Sequence, residues 1–297
     1  MATVTARPAD FAEPVGAFGR ARALWATIRR KPLGAVSAAV IVTLVLTALF
    51  ADVLAPFDPV ETRPEIRLQA PSRAHAFGTD DIGRDVLSRV IHGSRISLWV
   101  GLLAVGIGTF AGMIIGLLCG YCEGRLDLIL QRVMDAIQAI PGLVLALAIV
   151  SVLKPNTTNA MLAIAIVIIP GNSRIVRGAV LSTKQNRYVE AAQAIGCRHP
   201  RIILSHILPN VTAPILVIAS IWLGNAILIE ATLSFLGLGT QPPTPSWGLM
   251  LSSTGRAFME QAPWLAIFPG LAISLAVLGF NLFGDTLRDA WDPKLRH

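Results

Sequence analysis

At 297 residues the chain could hold one or two soluble domains, but 54% hydrophobic against 14% charged residues and a mean hydropathy of +0.63 exclude an ordinary water-soluble globule. A formal charge of +7 would suit nucleic acid, yet only 6% of residues are aromatic and no basic run is interleaved with them for base stacking, so membrane topology explains the excess better. Three cysteines without framework spacing exclude a disulfide-stapled fold, and the single CxxC, Cys119 to Cys122, lacks the second ligand pair of a structural zinc site.

Residues 1–32 are polar, carry Arg7, Arg20, Arg22, Arg29, Arg30 and Lys31, and place Trp25 and Ile28 before the first apolar run. That is the pattern of a cytoplasmic arm with an interfacial anchor. Residues 33–51 are uncharged and exceed the roughly 7 to 15 residues of a cleavable signal core, which favours a retained first span. A helix needs about 20 apolar residues to cross the hydrocarbon. Five further candidates are read against that measure, near Ile96–Gly120, Val133–Leu153, Thr158–Ser173, Val211–Leu236 and Trp264–Leu287, with Thr158–Ser173, the fourth span, the shortest. Pro170-Gly171 is expected to end the fourth span near a membrane face. The expected fold is an all-α polytopic membrane protein with about six transmembrane helices. Residues 52–95 form an external loop, 96–287 a five-span core and 288–297 a cytoplasmic tail.

Orientation follows from the distribution of Lys and Arg, which accumulate in cytoplasmic connections. With the N-terminus inside, seventeen of the 25 basic residues fall in inside segments and eight outside. Both termini therefore read as cytoplasmic. The loop from Asp52 carries six Arg, but seven acids offset them and the loop is long enough to translocate regardless of charge.

The longest inside connection, about residues 174–210, contains EAAQAIGCRHPRIILSHILP from Glu190 to Pro209. Strong helix formers precede Gly196, which suits the left-handed position that stops a helix, and Pro200 suits the first turn of the next one. Two short helices are expected, closed by Pro209 before span five. Tyr188, Ile195, Ile202, Ile203, Leu204 and Ile207 would leave apolar surface open unless a partner or the membrane face covers it. On the docking reading, Ala191, Ala192 and Ala194 admit a close partner surface, and Glu190, Arg187 and Arg198 set its register. On the other reading the pair lies in the interface and caps the bundle. A DNA-binding helix-turn-helix shares the outline, but its position between two spans and its weak basic content argue against that use.

This segment resembles the EAA loop, the cytoplasmic coupling motif of ABC importer permeases, with Glu190, Ala191, Ala192, Gly196 and Ile207-Leu208-Pro209 in place. The generic pattern has nine residues between the glycine and the isoleucine; here there are ten, Cys197 to His206, a variant similar to the peptide and nickel importers. Phe77 to Gly101, Glu230 to Leu251 and Phe268 to Arg296 resemble further segments of the DppC/OppC-type permease. The resemblance implies an inner-membrane subunit that pairs with a second, homologous permease, two ABC ATPase subunits and an extracytoplasmic substrate-binding protein. It implies that ATP and Mg are bound by the ATPase partners, with no cofactor or metal in this chain, and that peptides or related small solutes are carried.

Other chemistry finds little support. The nearest approach to a phosphate loop, Gly78-x4-Gly83-Arg84-Asp85, replaces the lysine and hydroxyl by arginine and an acid. A secondary carrier would show midplane acids or inverted broken helices, and a hydrolase a nucleophile and base on facing spans; neither pattern is present. Charges inside spans are functional candidates. Glu230, with Ser234 one turn on, is expected either to line a gate or to face headgroup water, and Asp135 to pair with Arg132. Pro141, Pro242, Pro243 and Pro245 mark breaks in regular helix, and Trp247 and Trp264 are expected as interfacial anchors.

Overall fold

A chain this apolar must satisfy its amides within each segment, and helix is the local solution. In a computed structural model, residues 32–252 and 257–291 are described, and these form helices joined by turns, with one isolated bridge between Thr79 and Asp85. The expected N-terminal arm up to residue 31, with Trp25 and Ile28, lies outside the described residues, as do Arg256 and the tail from residue 292.

The helices are α1 (Pro32–Leu49), α2 (Val86–Cys122), α3 (Gly124–Gln138), α4 (Gly142–Leu153), α5 (Thr157–Lys184), α6 (Arg187–Ala194), α7 (His199–Phe235) and α8 (Trp264–Trp291). Of these, α1, α2, α5, α7 and α8 are long and apolar enough to cross a membrane, and the bent pair α3–α4 makes a sixth if it counts as one span.

Four boundaries differ from the sequence expectation. Helix α2 starts at Val86, so residues 86–95 are helix and not loop, because Asp85 caps it by accepting from the Ser88 amide at 2.8 Å. The third span is broken: Pro141 adopts an extended conformation and α3 meets α4 at 87°. Pro170 does not end α5, which runs on to Lys184, since one missing amide is outweighed by packing along the whole helix. Pro209 does not separate the second foot helix from span five. A π turn at Ile203–Ile207 shifts the hydrogen-bond register just before the proline, and the helix runs on to Phe235, 37 residues in all from His199.

Close backbone approach sets the centre of the fold. Gly108, Gly112, Gly116 and Gly120 recur every fourth residue along α2 and face α5, where an added Cβ would lie 2.6–2.7 Å from Ala165, Asn172, Ser173 and Val180. Small residues at this spacing let two membrane helices touch through their backbones, which apolar lipid rewards by van der Waals contact alone. Val100, Ala104, Val150, Ile164, Ile168 and Leu233 join α2, α4, α5 and α7 in one core. Helix α8 packs on α7 through Ile273, Ala276 and Phe280, and α1 lies against α8, with Gly34 beside Thr286 and Gly279 beside Val40. Most of α1 remains exposed, as expected of a helix bathed in lipid or covered by another subunit.

Candidate functional site

The bundle has two differently built ends. One, the foot, gathers the C-terminal ends of α2 and α5, helix α6 and the start of α7. The other, the cap, gathers residues 55–85, the far end of α7 and the segments 236–252 and 257–263.

Foot geometry begins at Asn186, whose side chain bonds back to the Thr183 carbonyl at 3.0 Å as α5 gives way to α6. Val189 and Ala192, one turn apart, bury one face of α6 in a cluster with Leu117, Val176, Val180, Ile202, Ile207 and Val211. Gly196 adopts φ +77°, its amide bonds to Gln193 O at 2.9 Å, and the Cys197 amide bonds to Ala192 O at 3.0 Å. This is a complete Schellman cap, and it turns the chain by the left-handed glycine that the sequence indicates. Pro200 then sits in the first turn of α7.

Polar ties fasten this unit to the spans. Tyr121 Oη is 2.6 Å from His199 Nδ1, Lys184 Nζ donates to Tyr121 O at 2.9 Å and meets Glu123 at 2.8 Å, and Arg177 forms a two-pronged pair with Asp127 at 2.6 Å. Asp135 pairs with Arg132 at 3.8 Å, as the sequence suggests, and more closely with Arg174 at 2.7 Å. Tyr121, Asp127 and His199 escaped the sequence reading because their partners lie 50 to 78 residues away.

The expected coupling residues divide between two faces. Glu190, Ala191, Gly196 and Pro209 are exposed, and the Glu190 side chain makes no hydrogen bond or ion pair among the described residues. Ala192 and Ile207 are buried and Leu208 is half-buried, so these three hold the foot on the bundle instead of presenting surface. Ile202, expected to be open, is buried as well. What the foot presents outward is Tyr188, Ile195 and Leu204, with Ile195 80% exposed.

At the cap, Asp80 accepts from the Ile82 and Arg84 amides and from Arg84 Nε at 2.6 Å, and Arg89 reaches the Pro59 carbonyl at 2.9 Å. The segment 55–85, expected as a plain loop, is thus a folded plug on the ends of α2 and α8. Burial, followed by repulsion from Asp80, pushes the Asp81 carboxyl above its ordinary 3.8, whereas Arg95, by hydrogen bond and charge, holds Asp52 below it. Trp247 and Trp264 are not interfacial anchors. The Trp247 ring is 1% exposed and its Nε1 donates to Val90 O at 2.9 Å, while Trp264 Nε1 donates to Thr79 O at 3.1 Å. Indole donors shielded from water find carbonyl partners, here Val90 on α2 and Thr79 in the cap.

Glu230 and Ser234 neither line an open path nor face solvent in this chain. Glu230 is 1% exposed and accepts from Ser234 Oγ at 2.7 Å and from Ser97 Oγ of α2 at 3.1 Å. Among the described residues no cluster of His, Cys, Asp and Glu has metal-ligand geometry, and Cys119 and Cys122 are free thiols at the end of α2.

The chain is similar throughout to known transport subunits. Residues 112–297 match the family described as binding-protein-dependent transport system inner membrane component, and residues 20–71 match the N-terminal transmembrane domain of oligopeptide transport permease C. Among curated proteins it is 46% identical, over 91% of its length and 88% of the relative's, to the dipeptide transport system permease protein DppC of Alkalihalophilus pseudofirmus. It is 45% identical to the probable D,D-dipeptide transport system permease protein DdpC of Escherichia coli K12 (93% and 92% covered). It is also 45% identical to the glutathione transport system permease protein GsiD of Escherichia coli O6:K15:H31 (92% and 90% covered). The inward-facing MetNI methionine ABC transporter has a chain of the same fold, with TM-score 0.58, 16% identity and coverage of 69% of this chain and 97% of that one.

Proposed function

Since this chain belongs to the family of binding-protein-dependent transport system inner membrane components, within its dipeptide and oligopeptide permease branch, we propose that it forms half of the translocation pathway of an ATP-driven importer and is driven through its foot. The second half is a homologous permease, two ATPase subunits bind ATP and Mg, and an extracytoplasmic binding protein delivers the solute. The foot and both termini face the cytoplasm. Relatives named for dipeptide and glutathione transport support a short peptide as the substrate class.

One observation carries the coupling reading: the foot buries one face into its own spans and leaves Tyr188 and Ile195 on the capped α6, and Leu204 at the start of α7, with no cover. Apolar side chains exposed together on a rigid mount suit a partner cleft, and the unpaired Glu190 beside them can orient it. A push on α6 is transmitted to α2, α5 and α7 through the buried face, so the ATPase subunits can move the spans without chemistry in this chain.

The test is to purify the chain with its ATPase partners, with and without Ile195→Glu. The substitution is expected to leave membrane insertion and thermal stability unchanged and to abolish ATPase co-purification and uptake. Retained co-purification with normal uptake would refute the docking role, and external labelling of a cysteine at position 196 would refute the orientation.

A further inference from the structure

Helix α7 runs unbroken from the foot to the cap, His199 to Phe235, roughly 55 Å at 1.5 Å per residue. Its cap end is tied to everything around it by one side chain. Glu230 accepts from three hydroxyls: Ser97 on α2, Ser234 on the next turn and, at 3.5 Å, Thr240. Ser234 Oγ in turn accepts from the Thr240 amide at 3.0 Å, Thr157 at the start of α5 reaches Thr240, and Ser246 caps the helical turn Trp247–Met250 by accepting from Leu249. No cation is among these partners. A carboxylate has about four acceptor sites, and here hydroxyls from two helices and the cap segment take three of them.

The segment so held is not packed by apolar contact alone. It folds back so tightly that a Cβ on Gly239 would strike Ser234, and one on Gly248 would strike the Ala231 backbone. It also forms one wall of an open cleft of about 500 Å³ through Gly237, Gln241 and Leu249, with Asp80, Arg84 and Arg89 on the other wall. Movement of the segment relative to α2 therefore changes the shape of the mouth of this subunit.

We propose that Glu230 is a positioning residue for transport, which clamps the cap segment Gly237–Met250 to α7 and α2 so that displacement applied at the foot reaches the cleft at the opposite end. The inference rests on the coupling role of the foot, and adds where the motion is delivered and by which side chain. A buried polar group that served stability alone would be indifferent to the nucleotide state of the partners; a clamp is not.

The experiment uses the full complex in lipid vesicles, with Gln241→Cys as the only thiol and Cys119, Cys122 and Cys197 replaced by alanine. Reaction with a membrane-impermeant maleimide is expected to differ between nucleotide-free and vanadate-trapped complex. Glu230→Leu is expected to abolish that difference and to lower solute moved per ATP by roughly fivefold or more, a typical coupling effect. Glu230→Gln retains an acceptor oxygen and adds donors that rotatable hydroxyls can meet, so it is expected to keep both. Thr240→Val removes one partner at nearly constant volume; it should give an intermediate loss, and decides the matter if Glu230→Leu fails to assemble. A nucleotide response at position 241 that persists in Glu230→Leu or is unaltered in Thr240→Val overturns the clamp, as does absence of a response in the Gln241→Cys complex with Glu230 and Thr240 intact while ATP is hydrolysed. Failure of the foot reading would appear differently, as loss of ATPase co-purification from the unsubstituted chain.

Discussion

Cap and foot both use proline, glycine and a short helical turn to reverse the chain, yet they differ in what they leave undone. The cap comes close to completing itself: Trp247, Glu230, Thr79, Asp80 and Asp85 are buried and find their hydrogen-bond partners within the chain, with Asp81 Oδ1 left without one. The foot completes only its inner face and exposes Tyr188, Ile195 and Leu204. Their glycines differ in the same sense. Gly248 is required because the Ala231 backbone leaves no room for a side chain, whereas Gly196 has nothing within 4 Å and is required only for its φ of +77°. A self-satisfied end resists change in the isolated chain, and an end left open shows its cost only when a partner is present.

Four substitutions can break or sharpen this contrast, and the largest effect belongs to the cap. Trp247→Ala removes a fully buried ring and its bond to Val90, and should destabilise the detergent-solubilised chain by about 3–5 kcal/mol, read from its thermal unfolding. Gly248→Ala forces the cap segment off α7 and should cost about 1–3 kcal/mol by the same measurement. Gly196→Ala, in the foot, carries only the left-handed penalty of roughly 1–2 kcal/mol, and should fray α6 without shifting global unfolding. Its signature is faster proteolysis between α6 and α7 together with weakened ATPase binding; a fall in global stability equal to that of Gly248→Ala would erase the distinction between the two ends.

The smallest effect is electrostatic. Because Asp81 has a raised pKa, the folded chain holds its proton more tightly than the unfolded chain does. Its contribution to stability is thus greatest below the ordinary 3.8 and is lost as pH rises through the raised value. Asp81→Asn should therefore stabilise the cap at neutral pH, by under about 1 kcal/mol given its partial exposure, and give no gain below pH 3.8. Thermal unfolding of both chains at pH 3.5 and 7 checks the sign.

The foot was the more legible end. Glu190, Gly196 and Pro200 act within a few residues of themselves, so helix, left-handed cap and new first turn could be read locally. The errors arose where a local breaker met long-range packing. Pro170 and Pro209 look like helix ends, but α2 lies along the whole of α5, and the π turn absorbs the second proline. Pro141 lacks such support and breaks its helix. Trp247 and Trp264 look like interfacial anchors until the carbonyls of Val90 and Thr79, far away in sequence, are brought beside them.

Composition and apolar run length determined the number and approximate place of the membrane helices, because lipid requires every amide to be satisfied within its own segment. Local signals also determined that the first foot helix would stop at a left-handed Gly196 and that a new first turn would start at Pro200. Tertiary structure alone decided which prolines interrupt and which are carried through, which coupling residues face outward, and that Glu230 is enclosed, because burial and hydrogen-bond satisfaction depend on neighbours separated by up to 185 residues, as Thr79 and Trp264 are.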